Sequence, residues 1–574
     1  MAERIISPGV FSRENDKSLV QRGIPEIGAA IVGPTVKGNP LSPTVVTSYS
    51  EYLSIFGDVF KSGSNLYEYF TSLTAKEYFN NGGKSLLVTK IISGSSTVNN
   101  STYASSSISA SVSATPSFVL EATQWGDIAN NTGGTEVSGA LVSGSSENVR
   151  WEVTNVNNTK GTFTLLVRSG NDNANNKNVL ETFSNLSLDP AQPNYISRVV
   201  GNTKPVYNST KGLVEILGDF IGGSSFIRVK SVNNTIDSID NLGNYKATTF
   251  SGSLPAATSG SFSGGIAATN RTGSFFETMA SGSGECQGFT SADYTSALTL
   301  LSNKDEYSFN LLLVPGVTLG DGPLSSLADD VVAVCEGRGD SMAIIDTTAY
   351  GSTVSQAVTA ATTIGSSYGA AYYPWVQVFS NNLGKAVWCP PSVVMGGVFA
   401  FNDQVGAEWF APAGLSRGGI QSVLRAERRL SQDDRDTLYD ANVNPLASFP
   451  GEGVVAFGQK TLQKKATALD RINVRRLLIT LKNFLGQVGR SLVFEQNTAT
   501  TRNRFLSVAE PYLESVVQRQ GLYAFKIVMD DSNNTSDVID RNQLVGQIYL
   551  QPSKTAEFIV LDFTVLPTGA AFPG

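Results

Sequence analysis

The 574-residue chain has no histidine, which removes both the commonest general base near neutral pH and the commonest metal ligand. Cysteine is nearly as scarce. The three present, Cys286, Cys335 and Cys389, are odd in number and far apart, which points to buried thiols and away from a disulfide framework or a clustered zinc site. No run of 18 or more apolar residues occurs, and the opening MAERIISPGVF has no apolar stretch after its basic residue, so neither membrane insertion nor a signal peptide is expected. Charged residues make up only 16% of the chain against 41% hydrophobic, the balance of a protein whose surfaces are largely covered by copies of itself. Acids outnumber bases, 49 to 42, and the net charge of −7 argues against direct binding of nucleic acid.

Enzyme motifs fare no better. Gly339-Asp340-Ser341-Met342-Ala343 approaches a nucleophile elbow but lacks the histidine that would activate its serine. Arg338-Gly339-Asp340 spells an adhesion tripeptide, and reads more simply as an exposed turn before a strand at Met342. Asp530-Asp531-Ser532-Asn533-Asn534 offers oxygen ligands without the spacing or terminal glutamate of a calcium loop, and reads as a hairpin turn. With no P-loop or dinucleotide glycine pattern tied to a strand and helix, no catalytic, cofactor-binding or metal-ligating residue is expected.

What is present is a long chain of changing texture. Residues 1–22 read as an extended arm without a core of its own. Ala29–Gly33 and Leu86–Ile92 read as buried strands flanking a helix over Tyr67–Phe79, and the α/β pattern resumes with strands at Tyr307–Val314 and Met342–Asp346 around a helix over Leu324–Gly337. Between them, residues 93–285 are rich in Ser, Thr, Asn and Gly, with strand-like pieces at Ser117–Leu120, Thr162–Arg168 and Phe226–Val232. The expected fold is therefore a multidomain α/β and α+β chain. A middle α/β domain comprises 23–92 plus 286–425, a β-rich outward insertion spans 93–285, and a C-terminal domain spans 426–574. Disorder is the competing reading of the insertion's two tracts richest in Ser, Thr, Asn and Gly, 93–148 and 251–285.

Between Gly458 and Arg490 eight basic residues stand against one acid. Apolar residues at 474, 477, 478, 481, 484, 485 and 488 mark one face of a helix there, which leaves Arg471, Arg475 and Lys482 as a basic stripe on the opposite side. Such a stripe is either a solvated face or a dock for an acidic protein partner. A second helix is expected over Arg502–Gln520, burying Phe505, Val508, Tyr512, Leu513 and Val516, followed by strands at Tyr523–Met529, Gln543–Leu550 and Ala556–Leu566.

Phe457-Gly458-Gln459-Lys460-Thr461-Leu462, Arg471-Ile472-Asn473-Val474-Arg475-Arg476, Phe494-Glu495-Gln496-Asn497 and Ala556-Glu557-Phe558-Ile559 resemble, in this order, the C-terminal domain of contractile tail sheath proteins. Pro8-Gly9-Val10-Phe11, Phe79-Asn80-Asn81-Gly82-Gly83 and Trp409-Phe410-Ala411-Pro412-Ala413-Gly414 resemble further signatures of that family. The resemblance implies a non-enzymatic virion subunit, made in the host bacterial cytoplasm. It would stack as a homo-oligomer in six-fold rings around a tail tube protein, between baseplate and tail terminator proteins, and contract from a metastable extended state. A tailocin or other phage-derived injection system is the alternative setting, and a surface adhesin the alternative class. The resemblance further implies arm strands that pair with neighbouring subunits, at Pro8, Gly9, Val10 and Phe11 and at Phe558, Ile559, Val560 and Leu561. The conserved domain would face the tube with Arg471, Arg475 and Lys482.

Overall fold

A computed structural model describes residues 28–62, 65–91, 103–110, 115–123, 136–137, 139–146, 148–208, 210–246, 248–250, 252–265, 285–287, 289–320 and 324–557. The arm residues Pro8, Gly9, Val10 and Phe11, and Phe558, Ile559, Val560 and Leu561, lie outside these.

The largest element is an eight-stranded sheet in the order Thr44–Val46, Leu86–Lys90, Ala29–Gly33, Leu311–Thr318, Met342–Asp346, Gly369–Tyr373, Val443–Phe449 and Gly453–Ala456. The six inner strands run parallel, and one antiparallel strand closes each edge. Near-continuous burial explains their composition: every residue of Ala29–Gly33, Leu86–Lys90, Leu311–Thr318, Met342–Asp346 and Gly369–Tyr373 is buried, as a parallel sheet covered on both faces requires. Ala29 pairs with Leu86 on one side and Leu311 on the other, so chain from before residue 93 and chain from after residue 303 meet in one sheet.

Helix Pro391–Val405 packs against both this sheet and helix Phe70–Asn80. Two glycines permit the approach. A Cβ on Gly396 would come within 2.7 Å of Leu313, and one on Gly397 within 2.8 Å of the Glu77 carbonyl oxygen. Where this helix begins, the Ser392 N–H and hydroxyl donate to Asp346 at 2.8 and 2.7 Å, and the Gly316 N–H donates to the same carboxyl at 3.2 Å.

Residues 105–262 form a second core. A four-stranded antiparallel sheet (Val179–Ser187, Thr162–Ser169, Val149–Asn157, Ser259–Ser261) and a three-stranded one (Ile227–Val232, Pro116–Ala122, Ser105–Ser109) bury Phe118, Leu120, Trp151, Val153, Phe163 and Leu165 together. Inside it, Arg168 is held by Asp172 at 2.7 Å and Glu152 at 2.9 Å. A contact with the large sheet runs through Tyr103, whose ring lies 4.3 Å from the Arg228 guanidinium and whose hydroxyl donates to Asn39 at 3.2 Å.

Two sequence expectations are corrected. Arg338 does not sit in an exposed turn: it is buried over the Phe309 ring, donates to the carbonyls of Leu301 and Tyr307 at 2.6 and 2.7 Å, and pairs with Asp340 at 2.9 Å. A guanidinium with five donors can cap two chain segments at once, which a reading of the tripeptide alone misses. Residues 65–68 are a strand, Asn65–Glu68, and the helix expected from Tyr67 starts only at Phe70. Cys335 and Cys389 are buried free thiols.

Burial pushes the Asp346 carboxyl up to about 6 despite the hydrogen bonds that favour its charged form. A raised folded value means that its contribution to stability is complete below the ordinary aspartate range and is lost as pH rises through about 6. Asp346→Asn is expected to be less stable at every pH, and to flatten the decline of the urea midpoint between about pH 4 and 7.

Candidate intersubunit interface

Helix Ile472–Arg490 and helix Ala499–Gln518 pack with a two-stranded ribbon to form the C-terminal unit. Leu477, Leu481, Leu513, Val516 and Leu522 bury together with Ala407 and Trp409, and Phe484 stacks on Tyr512 at 3.7 Å between ring centres. The Trp409 N–H donates to the Arg519 carbonyl at 3.0 Å, which fastens the Trp409-Phe410-Ala411 segment to the end of the second helix. That helix runs through Pro511 unbroken. Phe505, Leu513 and Val516 are buried as expected and Tyr512 partly so, while Val508 is exposed and Ala509 is buried in its stead.

The ribbon pairs Leu522–Val528 with Gln547–Pro552, Phe525 opposite Leu550 and Ile527 opposite Ile548. These four side chains lie against the helices, while Tyr523 and Tyr549 face outward. Among the described residues neither strand has any further sheet partner. Among the described residues both outer edges are therefore unpaired, in a ribbon too narrow to be stable by itself. The 530–534 segment is not a hairpin turn. It opens a longer connection containing the helix Ser536–Asp540 and held by Asn534, which donates to the Asp530 and Val545 carbonyls and accepts from the Val545 N–H at 2.9 Å.

Beyond the ribbon the chain returns to the large sheet and is fastened at Glu557. Arg471 grips this carboxylate with two hydrogen bonds of 2.7 and 3.0 Å, Gln459 donates at 2.9 Å and Tyr439 at 2.9 Å. Burial would raise the Glu557 pKa, but these donors outweigh it and hold the carboxyl below the usual glutamate range. Three of the sequence words that pointed to a family therefore meet at one point in space: Gln459, Arg471 and Glu557.

The basic stripe needs correction as an open face. Arg475 is buried, its guanidinium 4.1 Å from the Tyr368 ring centre and hydrogen-bonded to the Ser367 hydroxyl. Lys482 is exposed, with its ammonium 3.4 Å from the Tyr368 hydroxyl, and Arg471 is taken up by Glu557 and by Asp470 at 3.1 Å. The three do lie along one side of the helix. That side, however, meets the 367–368 turn and the 557 segment, because long cationic side chains can cover apolar and aromatic surface while keeping their charge satisfied. Arg476, unassigned by the sequence reading, is buried over Phe399 and forms a two-pronged pair with Asp403 at 2.7 and 2.6 Å. Phe494 also carried no assigned role. It is fully exposed at a backbone φ of +72°, in the turn between the two helices.

Comparison with known proteins shows what this arrangement is similar to. Residues 287–462 match the phage tail sheath protein central domain, and residues 464–565 match the phage tail sheath C-terminal domain. Over 185 residues, 32% of its length, the chain is 40% identical to the tail sheath protein of Vibrio phage KVP40 and 38% identical to that of Enterobacteria phage T4. Each match spans only 28% of the relative's own length. The crystal structure of a sheath tail protein from Listeria innocua shares the fold, with a TM-score of 0.53 over 92% of this chain and 95% of that one, at 10% identity. Residues 287–565 thus carry, over just under half of the chain, the two domains that define the phage tail sheath family.

Replacing Arg471 by Met and Glu557 by Gln, singly and together, should give a coupling of about 1.5–3 kcal/mol in urea unfolding, the range for hydrogen bonds to charged groups. Because the carboxyl is held below its ordinary value, this coupling should be present at neutral pH and fade as pH falls through the carboxylate range.

Proposed function

We propose that the chain is the structural subunit of a contractile tail sheath, stacking in six-fold rings around a tail tube and shortening to drive that tube through a host envelope. The observation that carries this reading is the ribbon Leu522–Val528/Gln547–Pro552 with both edges open, beside a C-terminal segment rooted at Glu557. A strand from a neighbouring copy added to either edge would join subunits by backbone hydrogen bonds, a link that survives rotation of the subunits it connects. The arm 1–22, with Pro8, Gly9, Val10 and Phe11, and the residues Phe558, Ile559, Val560 and Leu561 are the strands we assign to this exchange. The baseplate and a tail terminator would hold the two ends of the polymer, in a virion assembled in the bacterial cytoplasm.

In this reading the middle α/β domain is 23–92 with 286–462, because Val443–Phe449 and Gly453–Ala456 complete the large sheet; the boundary expected at 425/426 moves accordingly, the C-terminal domain is 463–574, and the β-rich 93–285 faces outward, where insertions leave the lattice undisturbed. Contraction requires no active site. The extended lattice is held behind a kinetic barrier, and the contracted one is lower in free energy, so a trigger at one end releases what assembly stored.

Negative-stain electron microscopy of the tag-free protein tests polymerisation. The full chain should form hollow striated tubes, and chains lacking residues 1–12 or all residues after Thr555 should remain folded by circular dichroism yet form none. Normal tubes from either truncation would remove strand exchange from the account.

Of the three stripe residues only Lys482 is exposed, so it alone can reach a tube without unfolding the helix start. Lys482→Glu should lower assembly on a tube template and leave template-free polymerisation unchanged. Arg475→Glu should instead destabilise the subunit by about 3–5 kcal/mol, as expected when a buried charge is reversed. Equal templated assembly by Lys482→Glu and the parent would take Lys482 out of the tube contact.

A further inference from the structure

In sequence, Gln547–Pro552 and the residues after Glu557 make the pattern of a hairpin: a strand, five intervening residues, then Phe558-Ile559-Val560-Leu561-Asp562-Phe563, rich in β-branched and aromatic side chains. Antiparallel closure over 553–557 would set Leu561 opposite Tyr549 and give the ribbon a third strand on its Gln547–Pro552 edge, which is unpaired among the described residues. Local pattern thus favours a subunit that fills this edge itself.

The connection is drawn elsewhere. Pro552 lies opposite Leu522, which shares a cluster with Leu477 and Leu481 in the second and third turns of the helix Ile472–Arg490. Glu557 is gripped instead at the head of that helix, by Arg471, with Gln459 and Tyr439 as further donors, and Gln459 also donates to the Thr555 hydroxyl at 2.5 Å. At about 1.5 Å per residue the two places stand about 9–15 Å apart along the helix, while five residues extend to about 17 Å at most. Reaching the anchor takes up most of the connection and leaves little for a turn.

Without the anchor, self-closure would be the stronger competitor. A strand joined to its own ribbon by a few residues has an effective concentration of about a millimolar, roughly a thousandfold above a micromolar pool of free subunits. Left loose, it would fill the edge before a neighbour could. We propose that Arg471, Gln459 and Tyr439, by gripping Glu557, keep the subunit from closing on itself and so reserve the Gln547–Pro552 edge for the corresponding segment of a second copy. This rests on the strand exchange proposed above and supplies what that exchange needs, an acceptor edge that stays open until a neighbour arrives. Exchange of one segment between identical chains is favoured whenever the path back to its own chain is made too short, and here the shortening is done by hydrogen bonds to a single carboxylate.

The full chain carrying Tyr549→Cys and Leu561→Cys, mixed in equal parts with its isotope-labelled form, is treated with a short bismaleimide, and linked peptides are mapped by mass spectrometry. With the anchor intact, dilute subunits should give no link between the two positions, and tubes should give links that join labelled to unlabelled peptides. Adding Thr555→Ala and Glu557→Ala should replace these by links within one chain and abolish tubes. Should that variant fail to fold, a short Gly/Ser insertion between Glu557 and Phe558 keeps the anchor, lengthens the reach back to the ribbon, and should have the same effect. Links within one chain in dilute subunits with the anchor intact, or mixed links and normal tubes from a folded variant, would each overturn the role of the anchor. Anchored tubes with no link at Tyr549 would instead remove the strand exchange on which it rests.

Discussion

The rest of the structure depends on the pairing of Ala29–Gly33 with a parallel strand on each side. One neighbour, Leu86–Lys90, is close in sequence, and the other, Leu311–Thr318, lies beyond the whole β-rich core. Because both neighbours run parallel to it, the chain that leaves at the end of Leu86–Lys90 must return to the start of Leu311–Thr318, which confines everything from residue 91 to 310 to an excursion with fixed ends. The helix Pro391–Val405 then secures the arrangement. It reaches the sheet through Gly396, reaches the helix Phe70–Asn80 through Gly397, and places its N-terminus on Asp346 at the end of a central strand.

The concentration of positive charge between Gly458 and Arg490 serves mostly as internal fastening. Lys460 donates to the Tyr439 carbonyl at 2.7 Å, Lys464 to the Thr362 carbonyl at 2.6 Å, Arg471 to Glu557, Arg475 to Ser367, Arg476 to Asp403 and Arg490 to Asp305 at 3.0 Å. A basic segment in an acidic chain can find its counterparts within its own fold. Carbonyl oxygens and aromatic faces supply as much of that satisfaction as carboxylates do, and neither shows in a count of charges.

Strands buried on both faces were the most legible part of the sequence. Ala29–Gly33 and Met342–Asp346 form over the residues that their apolar runs mark, and the helix Ser325–Arg338 falls within one residue of its expected span. Local pattern failed where a distant partner decides the outcome. Arg338 and Arg475 look like surface residues until the Leu301 and Tyr307 carbonyls and the Tyr368 ring are in place. The Asp530–Asn534 segment looks like a tight turn because nothing nearby discloses that Asn534 bridges to Val545. At the candidate interface the family words located Gln459, Arg471 and Glu557, but their convergence is a product of the return path after the ribbon, which no periodicity encodes.

That return path has a mechanical consequence. Tension on the chain beyond residue 557 would not reach the ribbon first, because Glu557 is held by Arg471, Gln459 and Tyr439 at the head of the helix Ile472–Arg490. Load would pass through the anchor into the helix start and the rim of the large sheet, and the ribbon's own ladder would be shielded from being peeled open one bond at a time. A chain built this way can carry a pull on its last segment while the ribbon stays intact.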